Sequence, residues 1–169
     1  MTADLTLPLV PELALFALSV LLLVAGLMRH PSSAVASGGG KLFGWITLVG
    51  LLAVIGLTFT TQENSSLFNG AFVQDGLALF AKRLVLAAAA LSVLASLTNK
   101  QATFTRRAPE YHFTLLFSLL GMMVLVSARE LVLLFVAFEL MSIPLYVLTG
   151  FLKREGAAPE AALKFFLVG

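Results

Sequence analysis

The amino-acid sequence predicts an all-α protein, a polytopic transmembrane helix bundle with about five complete spans and the start of a sixth. Hydrophobic residues make up 59% of the 169 positions and charged residues only 12%, too few charges to cover a water-soluble domain. The apolar residues also come in blocks close to the ~20 residues that span a hydrocarbon core about 30 Å thick. In a soluble helical bundle, the alternative, each helix would show a polar face, and Leu84–Leu97 shows none.

The apolar blocks form a single transmembrane domain that covers residues 1–169. The predicted spans are residues 9–28, 42–61, 76–97, 112–127, 131–152 and 159–169, the last one truncated. Between them lie polar connectors, among them residues 29–41 with three consecutive glycines and the basic segment 99–111. The first block is expected to be a retained helix, because Asp4 and Glu12 precede its apolar run and no convincing signal-peptide cleavage site follows. An end at Gly169 inside an apolar run indicates a piece of a longer protein.

Basic residues in the connectors predict the orientation of the bundle. The first, third and fifth connectors contain seven of them, and the second and fourth contain only Arg129; the seven are Arg29, Lys41, Lys100, Arg106, Arg107, Lys153 and Arg154. Short loops rich in lysine and arginine stay in the cytoplasm. We therefore expect a multi-pass protein of the bacterial inner (plasma) membrane with its N-terminus outside.

Four charged residues lie inside the predicted spans, away from the first turn at each span entry: Lys82, Arg83, Glu139 and Lys164. A charged side chain at bilayer depth costs a few kcal/mol, so such residues usually face the bundle interior and mark ion or substrate pathways. All other charges, Glu12 included, are assigned to connectors and span ends. Arg83 is expected to extend its long side chain to the outer membrane interface. Whether Lys82 lies on a proton path stays open.

Glu139 is the strongest candidate for a functional residue. It lies eight residues after Leu131, about 12 Å along the fifth span and near the bilayer middle. No lysine or arginine lies within one turn on its own helix, so its partner comes from another helix or the carboxyl is protonated for much of the time. Such a carboxyl can relay protons; the alternative is a neutral glutamic acid that joins two helices. Pro144 would free a nearby carbonyl for water.

Two further residues have both a structural and a functional reading. Lys164 follows Glu160 by four residues, so the two share one helix face. They form either an interfacial ion pair or a site where a partly desolvated lysine exchanges protons. His112, beside the basic third connector, is expected at the interface rather than in a ligand set, because His30 lies in a different connector.

The fifth and sixth spans resemble a known family. The segments Ser127–Leu148 and Pro159–Leu167, which carry Glu139, Pro144 and Lys164, closely resemble subunit N of NADH-quinone oxidoreductase (respiratory complex I), and the similarity reaches back to Asp75–Phe80. The resemblance implies an antiporter-like fold with inverted repeats, of which this sequence is the N-terminal portion. It also implies that Glu139 and Lys164 are proton-relay residues, with Glu139 modulating a buried lysine on a later helix.

The resemblance further implies a membrane-arm subunit of a proton-translocating NADH:quinone oxidoreductase. Its partners would be antiporter-like membrane subunits and the lipid bilayer. The chain itself is expected to bind no redox cofactor or metal and no nucleic acid, because it has no cysteine, no glycine-rich phosphate loop, no histidine pair and a net charge of +2. NADH, FMN, iron–sulfur clusters and quinone would bind to partner subunits.

Two alternative functions stay open at this point. An Mrp-type cation/proton antiporter subunit would carry the same buried charges without any link to NADH oxidation. A non-catalytic membrane scaffold would use them only to lock helices together.

Overall fold

A computed structural model describes residues 7–28, 39–61, 63–99, 102–151 and 157–168. Six helices account for most of these residues: α1 Val10–Leu27, α2 Gly39–Thr60, α3 Gly76–Leu97, α4 Ala108–Ser127, α5 Leu131–Thr149 and α6 Ala157–Val168. In the described part of the chain, α1 to α5 are long and apolar enough to cross a membrane. The predicted class, an all-α transmembrane bundle, is therefore confirmed.

Helix ends differ from the predicted spans by at most four residues. The fourth helix begins at Ala108 rather than His112 because Pro109 fits the first helical turn, where no backbone donor is needed. The fifth ends at Thr149 rather than Leu152, with Gly150 at its C-terminal cap. The basic connector also contains a five-residue helix, Ala102–Arg106, which hydropathy alone could not predict.

The first four helices enclose the core, and α4 lies at its centre, packed against α1, α2, α3 and α5. Every buried residue of the main apolar cluster belongs to α1, α2, α3 or α4. In contrast, α5 buries only Ala137, Ser142 and Pro144, and no described side chain of α6 is buried. Large apolar side chains on the outside of the bundle, such as Phe135, suit contact with lipid tails or with other helices.

One end of the bundle, which we call the hairpin end, carries an element absent from the prediction. Residues 62–75, predicted only as a polar connector, contain an antiparallel hairpin of β1 Ser65–Leu67 and β2 Phe72–Gln74. Its turn, Phe68–Asn69–Gly70, has three consecutive positive φ angles of 52°, 55° and 90°. Strands this short lie below the length at which alternation is readable, which is why the prediction missed them.

The hairpin is fastened to the turn between α4 and α5. The amide of Arg129 donates to the carbonyl of Ala71 at 2.8 Å, and its guanidinium pairs with Asp75 at 2.5 Å. Asp75 is also the N-cap of α3, accepting from the amide of Ala78 at 2.7 Å. That backbone hydrogen bond, aided by Arg129, lowers the pKa of Asp75 below its ordinary 3.8.

Several predicted features lie outside the described residues. These are the connector residues 29–38 with His30 and Gly38, the basic residues Lys100, Lys153 and Arg154, and the terminal positions Asp4 and Gly169.

Candidate functional site

Glu139 lies near the middle of α5, half-buried in a groove between α4 and α5. The groove has a volume of about 410 Å³. Its walls are apolar apart from Glu139 and Thr114, and are formed by Phe113, Thr114, Phe117, Val136, Glu139, Leu140, Ile143, Pro144 and Val147. Among the described residues, no lysine, arginine or histidine forms an ion pair with Glu139. The expected partner on another helix is therefore absent from the described part of the chain.

Close backbone contact between α4 and α5 holds Glu139 in place. A Cβ atom at Gly121 would lie 2.4 Å from the backbone nitrogen of Met141, so only glycine allows this approach. Three residues earlier, the hydroxyl of Ser118 donates to the carbonyl of Met141 at 2.9 Å. Pro144 removes the donor that the carbonyl of Leu140 would otherwise meet. The close approach at Gly121 and the hydrogen bond from Ser118 thus fix α5 just two residues beyond Glu139.

Lys164 lies on α6 and is not brought to Glu139. Its ammonium forms an ion pair with Glu160 at 2.6 Å, as the four-residue spacing predicts, and both side chains are well exposed, by 72% and 65%. The helix contacts α5 through the ring of Tyr146, which meets those of Phe165 and Phe166 edge-on. In this arrangement Lys164 faces outward, where a partner or lipid would meet it.

A second charged pair lies at the hairpin end, and only one of its two residues, Lys82, is a candidate from the sequence. Lys82 on α3 is fully buried, and its Nζ lies 2.6 Å from Oε1 of Glu12 on α1. The same nitrogen donates to Oε1 of Gln74 at 3.1 Å and lies 4.9 Å from the centre of the Phe72 ring. Glu12, which its place in the sequence predicts to be an ordinary charge at a span end, is only 4% exposed. The assignment of Glu12 to an ordinary span end was wrong because tertiary packing, which hydropathy does not show, buries its carboxylate against Lys82.

Arg83 points away from Lys82, as expected from the ~100° between adjacent helix positions. Its guanidinium donates to the carbonyl of Thr58 at 3.0 Å and stacks over the ring of Phe59 at 4.1 Å. It therefore binds the C-terminal turn of α2, where unpaired carbonyls favour a cation.

At the opposite end of the bundle, His112 is buried rather than interfacial, with 1% exposure. Its Nδ1 lies 2.6 Å from the carbonyl of Ala108, and its Nε2 lies 3.4 Å from the hydroxyl of Ser96. A small cavity of about 100 Å³ adjoins the ring. In the described residues, no three histidine or acidic side chains are grouped as metal ligands would be.

Comparison with known proteins identifies a protein family and relatives that the chain matches. Residues 128–169, the segment that carries Glu139 and Lys164, match the family model described as "NADH:quinone oxidoreductase/Mrp antiporter, TM". The chain is 34% identical over 162 residues to NADH-quinone oxidoreductase subunit N of Rhodospirillum rubrum, an alignment that covers 96% of the chain and 32% of the relative.

Other relatives show the same pattern of coverage. The F(420)H(2) dehydrogenase subunit N of Methanosarcina mazei is 34% identical over 95% of the chain and 33% of its own length. NADH-quinone oxidoreductase subunit N of Paramagnetospirillum magneticum is 35% identical over 99% of the chain and 33% of its own length. The chain thus spans about a third of the length of the curated relatives it matches.

Proposed function

Because the chain belongs to the subunit N family of NADH-quinone oxidoreductase, we propose that it forms part of a proton-translocating membrane arm. In this proposal the complex couples electron transfer from NADH to quinone to proton movement across the membrane. The chain contributes no redox chemistry of its own. Its role is to carry protonatable side chains at bilayer depth.

The observation that carries this proposal is the position of Glu139. A lone carboxyl in an apolar groove near the middle of a span would cost a few kcal/mol if it were ionised without a partner. The groove is open along its side, so a cationic side chain from another helix or subunit can approach. Arrival or departure of that cation would change whether Glu139 holds a proton. This is the property that a proton-relay residue needs.

Lys164 is the second proposed relay residue. Its pair with Glu160 is exposed in the described part of the chain, so it neither locks α6 in place nor contacts Glu139. A helix packed against α6 would cover the lysine and remove it from water. Under those conditions the ammonium can give up its proton to a neighbouring group.

The orientation proposed here places the hairpin end outside and the opposite end in the cytoplasm. The exposed cations at the opposite end include Arg106 and Arg107, whereas the hairpin end has Arg129 paired with Asp75. Cytoplasmic loops carry the excess of lysine and arginine. The membrane would be the bacterial inner membrane, and the partners other membrane subunits of the complex.

The electron donor and the redox cofactors are assigned to partner subunits. Relatives are subunits of enzymes named for NADH-quinone oxidoreduction and for F(420)H(2) dehydrogenation. We propose NADH as the donor, with FMN, iron–sulfur clusters and quinone bound by other chains.

Inverted membrane vesicles provide the test. Vesicles from cells that carry the complete gene should acidify their interior on NADH addition, and vesicles from a deletion strain should not until the gene is restored. Collapse of the signal by an uncoupler is the control. Oxidation of NADH without acidification in the complemented strain would contradict the proposal.

The matched family also includes Mrp antiporters, which makes an antiporter subunit the second candidate. The observation that would support this candidate is exchange of sodium or potassium for protons in vesicles without NADH. Loss of such exchange in the deletion strain, with unchanged NADH-driven acidification, would favour this candidate over the first.

A further inference from the structure

The Glu12–Lys82 pair is an ionisable site that the relay through Glu139 does not use. Lys82 has no solvent exposure, and the Glu12 side chain is 5% exposed. The pair joins α1 to α3, and Gln74 of the hairpin completes it. An ion pair this deep gains little stability over an apolar pair of equal size, because desolvation offsets the attraction. Stability alone therefore does not explain why the bundle contains this pair.

Glu12 itself, the hairpin and the end of α4 contain buried polar atoms without hydrogen-bond partners. Within the described residues, neither carboxylate oxygen of Glu12 receives a hydrogen bond of good geometry, although Oε1 is 2.6 Å from the ammonium. The amide nitrogen of Gln74 and the hydroxyls of Ser65 and Ser127 are also buried without a hydrogen-bond partner. Ser65 faces Gln74 across the hairpin, and Ser127 ends α4 directly before the residue that bridges to β2. Buried polar groups of this kind usually bind water.

The other charged groups near the Glu12–Lys82 pair either have partners of their own or are exposed to solvent. Asp75 is paired with Arg129 at the surface, and Arg83 on the same helix is bound to the end of α2. Glu63, in the segment before the hairpin, is exposed to solvent. Glu12 is therefore the only described carboxylate within ion-pair distance of Lys82.

We propose that Glu12 and Lys82 form a proton-exchange site that delivers protons to water on the outer side of the membrane; this rests on the proton translocation and orientation proposed above. In the exchange step, an N–H bond of the Lys82 ammonium breaks and an O–H bond forms on Glu12, which leaves a neutral amine and a neutral acid. Glu12 then releases the proton outward by way of the buried polar groups of Gln74, Ser65 and Ser127 and the water they would bind. Lys82 takes up a proton that arrives through the bundle, and no electrons move.

A double substitution separates this role from a purely structural one. Glu12→Gln combined with Lys82→Met removes both charges at similar volume, and such replacements of buried ion pairs are often neutral or stabilising. The double variant should therefore assemble, whereas either single change leaves one buried charge unpaired and should reduce the amount of complex. In inverted vesicles the double variant should oxidise NADH but lose proton translocation per electron. Arg83→Gln, one residue away, is the matched control and should keep the ratio.

An unchanged ratio of protons to electrons in the double variant would overturn the proposal and leave a structural ion pair. The proposed function is tested separately, since it fails if the parent complex itself translocates no protons.

Water access provides a second test that does not depend on assembly of the double variant. The chain has no cysteine, so a single introduced thiol can be followed against the background of the parent complex. Ser127→Cys should react with a small membrane-impermeant thiosulfonate added from the outer side. Ser19→Cys, equally buried at 0% but within the apolar core of α1, should not. Absence of reaction at position 127 would contradict a hydrated path, and equal reaction at position 19 would do so too.

Discussion

The contact between α4 and α5 offers a sharp test of how Glu139 is held, through the substitution Gly121→Ala. The added methyl would lie 2.4 Å from the nitrogen of Met141 and 2.7 Å from the carbonyl carbon of Leu140. Both are backbone atoms that cannot rotate away. Carbon atoms ordinarily approach only to about 3.5 Å, so α5 must move outward by about 1 Å.

The expected loss of stability follows from that displacement. Overpacking of a tight contact costs about 1–3 kcal/mol, and stretching the bond from Ser118 to Met141 beyond its 2.9 Å removes about 1 kcal/mol more. We therefore expect Gly121→Ala to lower the free energy of unfolding by about 2–4 kcal/mol. Since Glu139 lies two residues from Met141, the same movement should also reduce proton translocation in the complex that still assembles.

Unfolding of the full-length subunit in mixed micelles with increasing SDS measures this loss. The matched control is Gly56→Ala on α2, where an added Cβ would meet nothing within 4 Å. That change should be neutral or slightly stabilising, because alanine is the better helix former. If Gly121→Ala costs no more than Gly56→Ala, the tight contact described here is wrong.

Three further predictions address other parts of the bundle. The pKa of Asp75 is lower in the folded protein than its ordinary 3.8, so the ionised carboxylate stabilises the fold fully above pH 3.8 and this stabilisation is lost as the pH falls through the folded pKa. Protection of the first-turn amides of α3 against hydrogen exchange should therefore decline in that acidic range. Asp75→Asn should remove this pH dependence. A double-mutant cycle with Arg83→Met and Phe59→Leu should give a coupling energy of about 0.5–2 kcal/mol, and a coupling of zero would mean that the stacked geometry is absent in solution. Lys164→Met should change stability by less than ~0.5 kcal/mol because its pair with Glu160 is exposed, so reduced translocation in that variant would report a relay role rather than misfolding.

The sequence predicted the architecture well, for a physical reason. Each span had to be a continuous apolar helix, since lipid offers no partner for unpaired backbone groups. Block lengths alone therefore placed α3 at residues 76–97, the bounds that the structure has. Helix ends were placed less well, because caps such as Gly150 and first-turn prolines such as Pro109 act locally and leave hydropathy unchanged.

Pairing of the charged residues could not be predicted in the same way. The partner of Lys164 was predictable because Glu160 lies one turn away on the same helix. Glu12 and Lys82 lie 70 positions apart on different helices, and only the tertiary fold brings them to 2.6 Å. The available signal was the cost of leaving Lys82 unpaired, which called for a carboxylate on another helix. Glu12 fits that description, although hydropathy places it at a span end.

The most direct test of the central claim is the ratio of protons translocated to electrons transferred in the Glu139→Gln complex. Glutamine keeps the size and shape of the side chain but has no ionisable proton to exchange. Glu130→Gln, an exposed carboxylate at the start of α5, is the control. We predict that the Glu139→Gln complex assembles and reduces quinone while its proton-to-electron ratio falls, with the control unchanged. A normal ratio, or failure to assemble with normal translocation in the remaining complex, would show that Glu139 only joins helices.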